Sequence, residues 1–342
     1  MQNPGEGTQR AAALAGMAAL LAEYGVSPEA ASEGTHIDLR TLTPDTQILM
    51  REALMVMDRA ARLTGIPHLG LLLGARADAG ILGIVHRLAA TAPTLRHALL
   101  DHVNWQLGYS TSAVVYLRSV DDVFVYGIGV YDRLAQASRQ FYDLCAAVAA
   151  NFIRDLTHNA VRPTEICFSH SEPANLRPYH KALNVPLRFD QAQTCLILPH
   201  DKMDLPLPTA DPALRAHLLA QIDARLGVSA QDMSIRVRRT VRPQLLVGDP
   251  SMAGASRVLG LDPRVLRRRL AAEGTTFEAM RDEVRFVVAR EYLSLSDLTV
   301  LEISDALAFG THAAFSRAFH RWSGSTPTQW RKSNRGGQGA GH

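Results

Sequence analysis

Apolar positions along this 342-residue chain follow two periods, and the place where one of them disappears divides it. Up to about residue 225, alternation with period two is interleaved with the 3.6-residue period of amphipathic helices. Leu14, Met17, Leu21 and Tyr24 recur at helical spacing in and after AAALAGMAALLA (residues 11–22), which predicts a surface helix packed on a core. That run is too short to span a bilayer. Its flank carries Arg10 beside Glu6 rather than the basic cluster of a signal peptide. Thr43 before Pro44 predicts a cap and a first helical residue, opening a helix to about Leu63. Two further helices are expected over 80–91 and 93–107, separated by Pro93. SAVVYLRS and DVFVYGIGVY, joined at Asp121 and Asp122, read as a β-hairpin. A long helix over about 134–158 follows, then short strands at 164–169 and 194–199 with a helix near 175–183 between them. PLPTADP (206–212) is a turn-rich stretch before another helix. This part is a mixed α+β domain.

From Ala230 onward only the helical period remains, and seven helices are expected up to Lys332. A weak repeat runs through them. ASRVLGLDPRVLRRRL (255–270) matches the pattern of ISDALAFGTHAAFSRAF (303–319), with one extra residue after the second turn. Each copy is a short helix, a tight turn and a second helix, which is the helix-turn-helix arrangement made twice. In the first turn Gly260 supplies conformational freedom, Asp262 caps and Pro263 starts the next helix. In the second, Gly310 is expected to supply the freedom and Thr311 the cap. Thr275 with Glu278, and Thr299 with Glu302, are spaced as capping boxes, and Thr326 with Pro327 starts the last helix. Phe277, Met280, Val284, Val288 and Tyr292 form the core-facing stripe of a linker helix between the two units. The expected organisation is an α+β domain over 1–228, an all-α domain of two helix-turn-helix units over 229–334, and a flexible tail over 335–342.

Charge sharpens this division. Residues 1–235 carry 19 Lys and Arg against 23 Asp and Glu; residues 236–342 carry 17 against 10. The basic C-terminal part points to a polyanion. On its first repeat Leu266 and Leu270 face inward, while Arg264, Arg267 and Arg268 fall on one outward face. Like charges so close repel one another unless a negative partner meets them. The arginine fork pairs with guanine O6 and N7 and with phosphate, so major-groove DNA is the partner this face fits.

LGLDPRVLRRRLAAEGTTF and EISDALAFGTHAAFSRAFHRWSGSTPTQWR resemble the DNA-binding domain of the AraC/XylS family of bacterial transcription regulators, over about residues 230–332. The resemblance implies two recognition helices, held by the linker helix, entering successive major-groove segments of double-stranded DNA. By position Arg264, Arg267 and Arg268 match the contacting residues of the first recognition helix; His312, Ala313, Ala314 and Arg317 match those of the second. Two departures stand out. Ala308 occupies the position where the family usually has glycine, and Gly310 and Thr311 stand where Ser and Asp are frequent. HLGLLLGARADAGILGIVHRLAATAPTLRHAL and VPLRFDQAQTCLILPHDKMDLPLPTADPAL are similar to the effector domain named "arabinose-binding" in a subset of these regulators. The resemblance implies a small-molecule effector of unstated identity. RNA polymerase and a second copy of the chain are the expected protein partners, and an activator role is expected with activator against repressor left open.

Other chemistries find little support. Three cysteines (Cys145, Cys167, Cys195) fit a reducing compartment, and the chain reads as cytoplasmic with no membrane partner. Cys167, His170, Cys195 and His200 contain one ligand-like spacing without a second close pair, so no metal and no cofactor is expected. There is no phosphate loop, dinucleotide fingerprint or serine-nucleophile elbow, so no enzyme is expected. An enzyme fused to a helix-turn-helix domain is the remote alternative. A DNA-binding regulator whose N-terminal domain only dimerises or binds a protein is the nearer one. The aromatic residues Trp105, Tyr109, Tyr116 and Tyr126, with Phe124, gather around the hairpin. They read as domain core or as the lining of an effector pocket.

Overall fold

The computed structural model describes residues 7–106, 110–130, 138–226, 232–245 and 250–335. The chain forms two compact units, one of Met1–Phe168 with Glu172–Val228, the other of Ser169–Ser171 with Ser229–His342. The expected boundary residues 227–231, and residues 336–342 of the expected tail, lie outside the described residues.

The N-terminal unit opens with β1 (Thr8–Arg10) paired antiparallel to β2 (Gln47–Leu49), which sets Gln9 opposite Ile48. Between them lie a 3-10 turn (Ala11–Leu14), α1 (Met17–Glu23) and α2 (Pro28–Ser32). The single helix expected over 11–22 is therefore broken. Gly16 stands at φ 79, a left-handed conformation that ends one turn and caps the next. Leu14, Met17 and Leu21 are buried as their spacing requires, and Tyr24 is exposed. The helix expected to open at Thr43 and Pro44 begins instead as α3 (Met50–Thr64). Thr43 and Pro44 sit in a turn closed by a hydrogen bond from Thr46 N to Thr43 O at 3.1 Å. The backbone groups of Gln47–Leu49 are committed to β1, so long-range pairing overrides the local capping signal.

Next come α4 (Leu69–Arg76), a 3-10 turn (Ala79–Leu82), α5 (Ile84–Ala90) and α6 (Leu95–Trp105), with Thr94 capping α6 just after Pro93. The hairpin of β3 (Ala113–Val120) and β4 (Val123–Val130) turns at Asp121, whose φ is 48. Then α7 (Arg139–Leu156), β5 (Glu165–Cys167), α8 (Arg177–Leu183), β6 (Leu187–Arg188), β7 (Thr194–Pro199) and α9 (Pro212–Leu226) complete the unit. The sheet runs β3-β4-β7-β5-β6, antiparallel except for the β5–β6 pair. Helix α7 packs on β4 and β7, and α4 packs on α7.

The α4–α7 contact is a backbone contact. A Cβ added at Gly70 would stand 2.0 Å from the Gln140 carbonyl oxygen, and one at Gly74 2.5 Å from that of Leu144. Side chains of α7 seal the approach. Gln140 accepts from Gly70 N at 2.8 Å, and Asn151 Nδ2 donates to the carbonyls of Gly74 and Ala77, both at 3.2 Å. Gly70→Ala forces the helices apart and is expected to destabilise this unit by about 2–3 kcal/mol, in the range of overpacked cores. Denaturant unfolding followed by near-UV circular dichroism measures it; an unchanged midpoint contradicts the close approach.

The regular elements described in the C-terminal unit are all helices: α10 (Met233–Leu245), α11 (Met252–Leu259), α12 (Pro263–Ala272), α13 (Phe277–Leu295), α14 (Val300–Ala306), α15 (His312–Ser323) and α16 (Pro327–Arg335). All five residues of the linker stripe on α13 are buried in one cluster with Leu266, Leu270, Phe315 and Phe319. The Thr299–Glu302 capping box is present in both directions. The other expected box does not form, and a simple cap one residue later takes its place. Thr276, not Thr275, is extended and accepts from Ala279 N, so α13 begins at Phe277. The last helix has a reciprocal cap of its own: Thr326 Oγ1 accepts from Gln329 N, and Gln329 Oε1 accepts from Thr326 N.

Candidate nucleic-acid interface and N-terminal cavity

The first helix-turn-helix unit is α11, Gly260 and α12. Gly260 adopts φ 64 and closes α11, then Asp262 Oδ1 accepts from Arg264 N at 2.7 Å and starts α12. Leu266 and Leu270 anchor α12 in the core. The opposite side presents Arg264, Arg267, Arg268 and Arg269, all exposed. Among the described residues none of the four has an ion-pair partner or a side-chain hydrogen bond. Their charge is left available to something outside the chain.

The second unit is α14, a turn and α15. Thr311 Oγ1 caps α15 by accepting from Ala314 N at 3.1 Å, as expected. Phe315, Ala318 and Phe319 anchor the helix, while His312, Ala313 and Arg317 are exposed and Ala314 is half-buried. Arg321, one turn later, is held by Asp282 at 3.0 Å. His312 is the first residue of the helix and so lies at its entrance. The conformational freedom of this turn lies elsewhere than expected. Gly310 does not adopt a positive φ; Ala308 does, at φ 53. An alanine held left-handed costs about 1–2 kcal/mol, partly offset because glycine loses more entropy on folding. Ala308→Gly is therefore expected to stabilise the C-terminal unit by about 0.5–1 kcal/mol, read as a raised denaturation midpoint. A lowered midpoint would show that the methyl group packs favourably there.

The residue that holds this turn was not legible from spacing. Arg285, on α13 and 8% exposed, donates to the carbonyls of Leu307 at 2.9 Å and Ala308 at 2.7 Å, with its guanidinium 4.4 Å from the centre of the Phe309 ring. Burial pulls its pKa down to about 10, so it stays charged at neutral pH. The signal was an arginine between Val284 and Phe286 on the apolar side of a helix. Arg242 and Glu291 form a second buried pair, at 2.8 Å, between α10 and α13. Glu273 caps α10 by accepting from the backbone N–H groups of Met233 and Ser234.

The N-terminal unit forms a partly open pocket, with a cavity volume of about 70 Å³, between α6, α7, β3 and β4 and beside Gln9, Arg10, Ala12 and Ala13. Among the described residues its polar groups are Gln9, Arg10, His102, Gln106 and Tyr126, and the other lining residues are apolar. Of the four aromatic candidates, Tyr126 lines it, with Oη hydrogen-bonded to His102 Nδ1. Tyr116 lies over its cross-strand partner Gly127, filling the space a side chain would take, and bonds to Gln193. Trp105 packs with Leu88, Leu218 and Ile222. Tyr109 lies outside the described residues. Phe124 meets His200 at a ring distance of 5.2 Å. Cys167 and Cys195 are cross-strand partners in β5 and β7. Among the described residues no group of three His, Cys, Asp or Glu side chains is placed to hold a metal ion.

Residues 25–207 match the model of the arabinose-binding N-terminal domain of AraC transcription regulators, and residues 255–333 match a helix-turn-helix domain model. This chain belongs to the AraC family. It is a DNA-binding transcriptional regulator with the family's N-terminal domain. The ornithine utilization regulator of Pseudomonas aeruginosa is 27% identical over 328 residues, 92% of this chain and 93% of the relative. The transcriptional regulator VirS of Mycobacterium tuberculosis is 27% identical over 278 residues, 81% of this chain and 82% of the relative. Among solved structures, the regulator CdpR of Pseudomonas aeruginosa covers 78% of this chain and 87% of its own, at 25% identity and a TM-score of 0.41. No described helix of this AraC-family regulator is long and apolar enough to cross a membrane.

Proposed function

We propose that the domain of residues 229–334 reads double-stranded DNA through α12 and α15, and that the domain of residues 1–228 senses a small molecule and transmits its presence to DNA occupancy. Arg264, Arg267 and Arg268 contact base edges and phosphates of one major-groove segment. Arg317 and His312 are the polar contacts of the second helix; Ala313 and Ala314 offer only apolar contact, such as to a thymine methyl. The first helix therefore carries more of the sequence reading, and the second more of the positioning. The observation that supports this is the row of exposed arginines, without partners among the described residues, on a helix whose other side is anchored by Leu266 and Leu270. RNA polymerase and a second copy of the chain are the protein partners, the compartment is the cytoplasm, and no catalytic activity is involved.

Arg268→Ala is expected to weaken binding to a selected duplex by about 1–3 kcal/mol and to relax preference at one base pair. A titration over single-base variants of that duplex measures this. Equal weakening on every variant makes Arg268 a phosphate contact instead. For sensing, the ligand must favour one state of the protein over the other, because equal affinity shifts nothing. A saturating ligand that leaves DNA occupancy, DNA geometry and transcription unchanged would replace the sensor with an interaction module.

A further inference from the structure

The cavity wall specifies what it can hold. Among the described residues no aspartate or glutamate lines it, so none of them answers an ammonium group. Among the described residues its one cation is Arg10, which is engaged elsewhere: Nε and Nη2 donate to Asp45 Oδ1 at 3.0 and 2.6 Å, and Nη1 donates to the Ile81 carbonyl at 3.4 Å. His102 and Tyr126 bond to each other. Gln106 spends its side-chain oxygen on Val115 N at 2.7 Å. Cys145, also in the wall, is kept a neutral thiol because burial pushes its pKa up.

Gln9 differs from these. It is 5% exposed, its backbone is fixed by pairing with Ile48, and its side-chain Oε1 has no hydrogen-bond partner among the described residues. A buried acceptor left unsatisfied costs about 1–3 kcal/mol, so a ligand that donates to it recovers that amount. Gln9 precedes the segment matched by the family's domain model, so this feature belongs to the chain rather than to the matched domain. Size narrows the choice further. An apolar cavity of roughly 150 Å³ accepts benzene; about 70 Å³ suits a molecule of fewer heavy atoms.

We propose that the cavity takes a small neutral amphiphile, a short hydrocarbon bearing one hydroxyl that donates to Gln9 Oε1, and not a sugar or a charged amino acid. This rests on reading the N-terminal domain as a sensor. A pentose needs partners for several hydroxyls and a diamino acid needs carboxylates; the described residues of the wall supply no carboxylate and one uncommitted acceptor, Gln9 Oε1.

The test uses the full chain and saturation-transfer NMR titrations with butan-1-ol, 1-chlorobutane, butanoate, L-ornithine and L-arabinose. The expected result is saturable butan-1-ol binding in the millimolar range, as befits a ligand of so few atoms. Gln9→Met weakens it by about fivefold to 150-fold, while 1-chlorobutane, which has no donor, is unaffected by that substitution. Butanoate, ornithine and arabinose show no saturable binding. Ala149→Leu, which fills the cavity from α7, abolishes binding of both apolar probes and keeps the test decisive if Gln9→Met does not fold. Absence of saturable butan-1-ol binding overturns the proposal. So does binding that survives both substitutions, or saturable binding of ornithine or arabinose that Ala149→Leu removes. DNA occupancy is read separately. Butan-1-ol that fills the cavity without altering occupancy preserves the ligand class and removes the sensor reading. Ornithine or arabinose that acts through the cavity preserves the sensor and overturns the class.

Discussion

Replacing Arg264, Arg267 and Arg268 together by alanine is expected to lower affinity for a selected duplex by about 4–5 kcal/mol, a factor of roughly a thousand or more, with almost no change in folding stability. A bidentate arginine–base pair discriminates by about 1–3 kcal/mol, and three neighbours on one face act less than additively. Folding is spared because all three side chains are exposed and, among the described residues, hold no partner. Surface substitutions of that kind stay within about 0.5 kcal/mol. Removing three like charges from neighbouring turns also relieves repulsion, which acts in the same direction. The salt dependence should flatten at the same time, by about 0.9 in the log–log slope for each phosphate that the protein no longer neutralises. Fluorescence anisotropy over a salt series, with thermal unfolding of the same samples, reads both quantities. Unchanged affinity in the triple variant would remove α12 from the interface.

Arg285→Met is expected to destabilise the C-terminal unit by about 4 kcal/mol and to weaken DNA binding without touching DNA. The carbonyls of Leu307 and Ala308 lose their charged donor at the end of α14, at a cost of about 1–3 kcal/mol each. The stacking on Phe309 is lost as well, and Phe309 leans on Phe315 of the recognition helix at a ring distance of 5.5 Å. Replacing a buried ion by an apolar side chain is often neutral when its partners go too; here the carbonyls remain. Arg285→Lys keeps the charge but cannot span two carbonyls and lie flat on a ring, so it should recover only part of the loss. Urea unfolding gives the stability. A DNA-binding defect that persists at temperatures where the variant is fully folded shows that α15 is displaced. A methionine variant as stable as the parent would contradict the role given to this side chain.

What could be read from the sequence was local. Asp262 with Pro263 and Thr311 before His312 placed both recognition helices, because capping depends on residues within one turn. The hairpin at Asp121 and the stripe from Phe277 to Tyr292 were legible for the same reason: period and turn chemistry lie in adjacent residues. Thr43 with Pro44 carried an equally good local signal and formed a turn instead, because Gln47–Leu49 pair with strand residues far earlier in the chain. Three-residue strands carry too few positions for alternation to show. Ala308 in the left-handed region defied a pattern that pointed to Gly310; Arg285 makes the difference from another helix. The outward arginines were legible because one helical face needs no tertiary information. The cavity was not. Gln9, His102 and Tyr126 come from three separated elements, and only the closed fold shows that Tyr126 faces the cavity while Tyr116 covers Gly127.

Selection of binding sites by the full chain from a random duplex pool, followed by sequencing, decides whether both helices α12 and α15 read DNA, the first more closely than the second. The expected motif has two information-bearing segments about one helical turn, or roughly 10 base pairs, apart. The segment with more information should lose its preference when Arg264, Arg267 and Arg268 are replaced, and the other should keep it. A motif confined to one segment, or one that survives those replacements unchanged, would rule out reading by the two helices in this way.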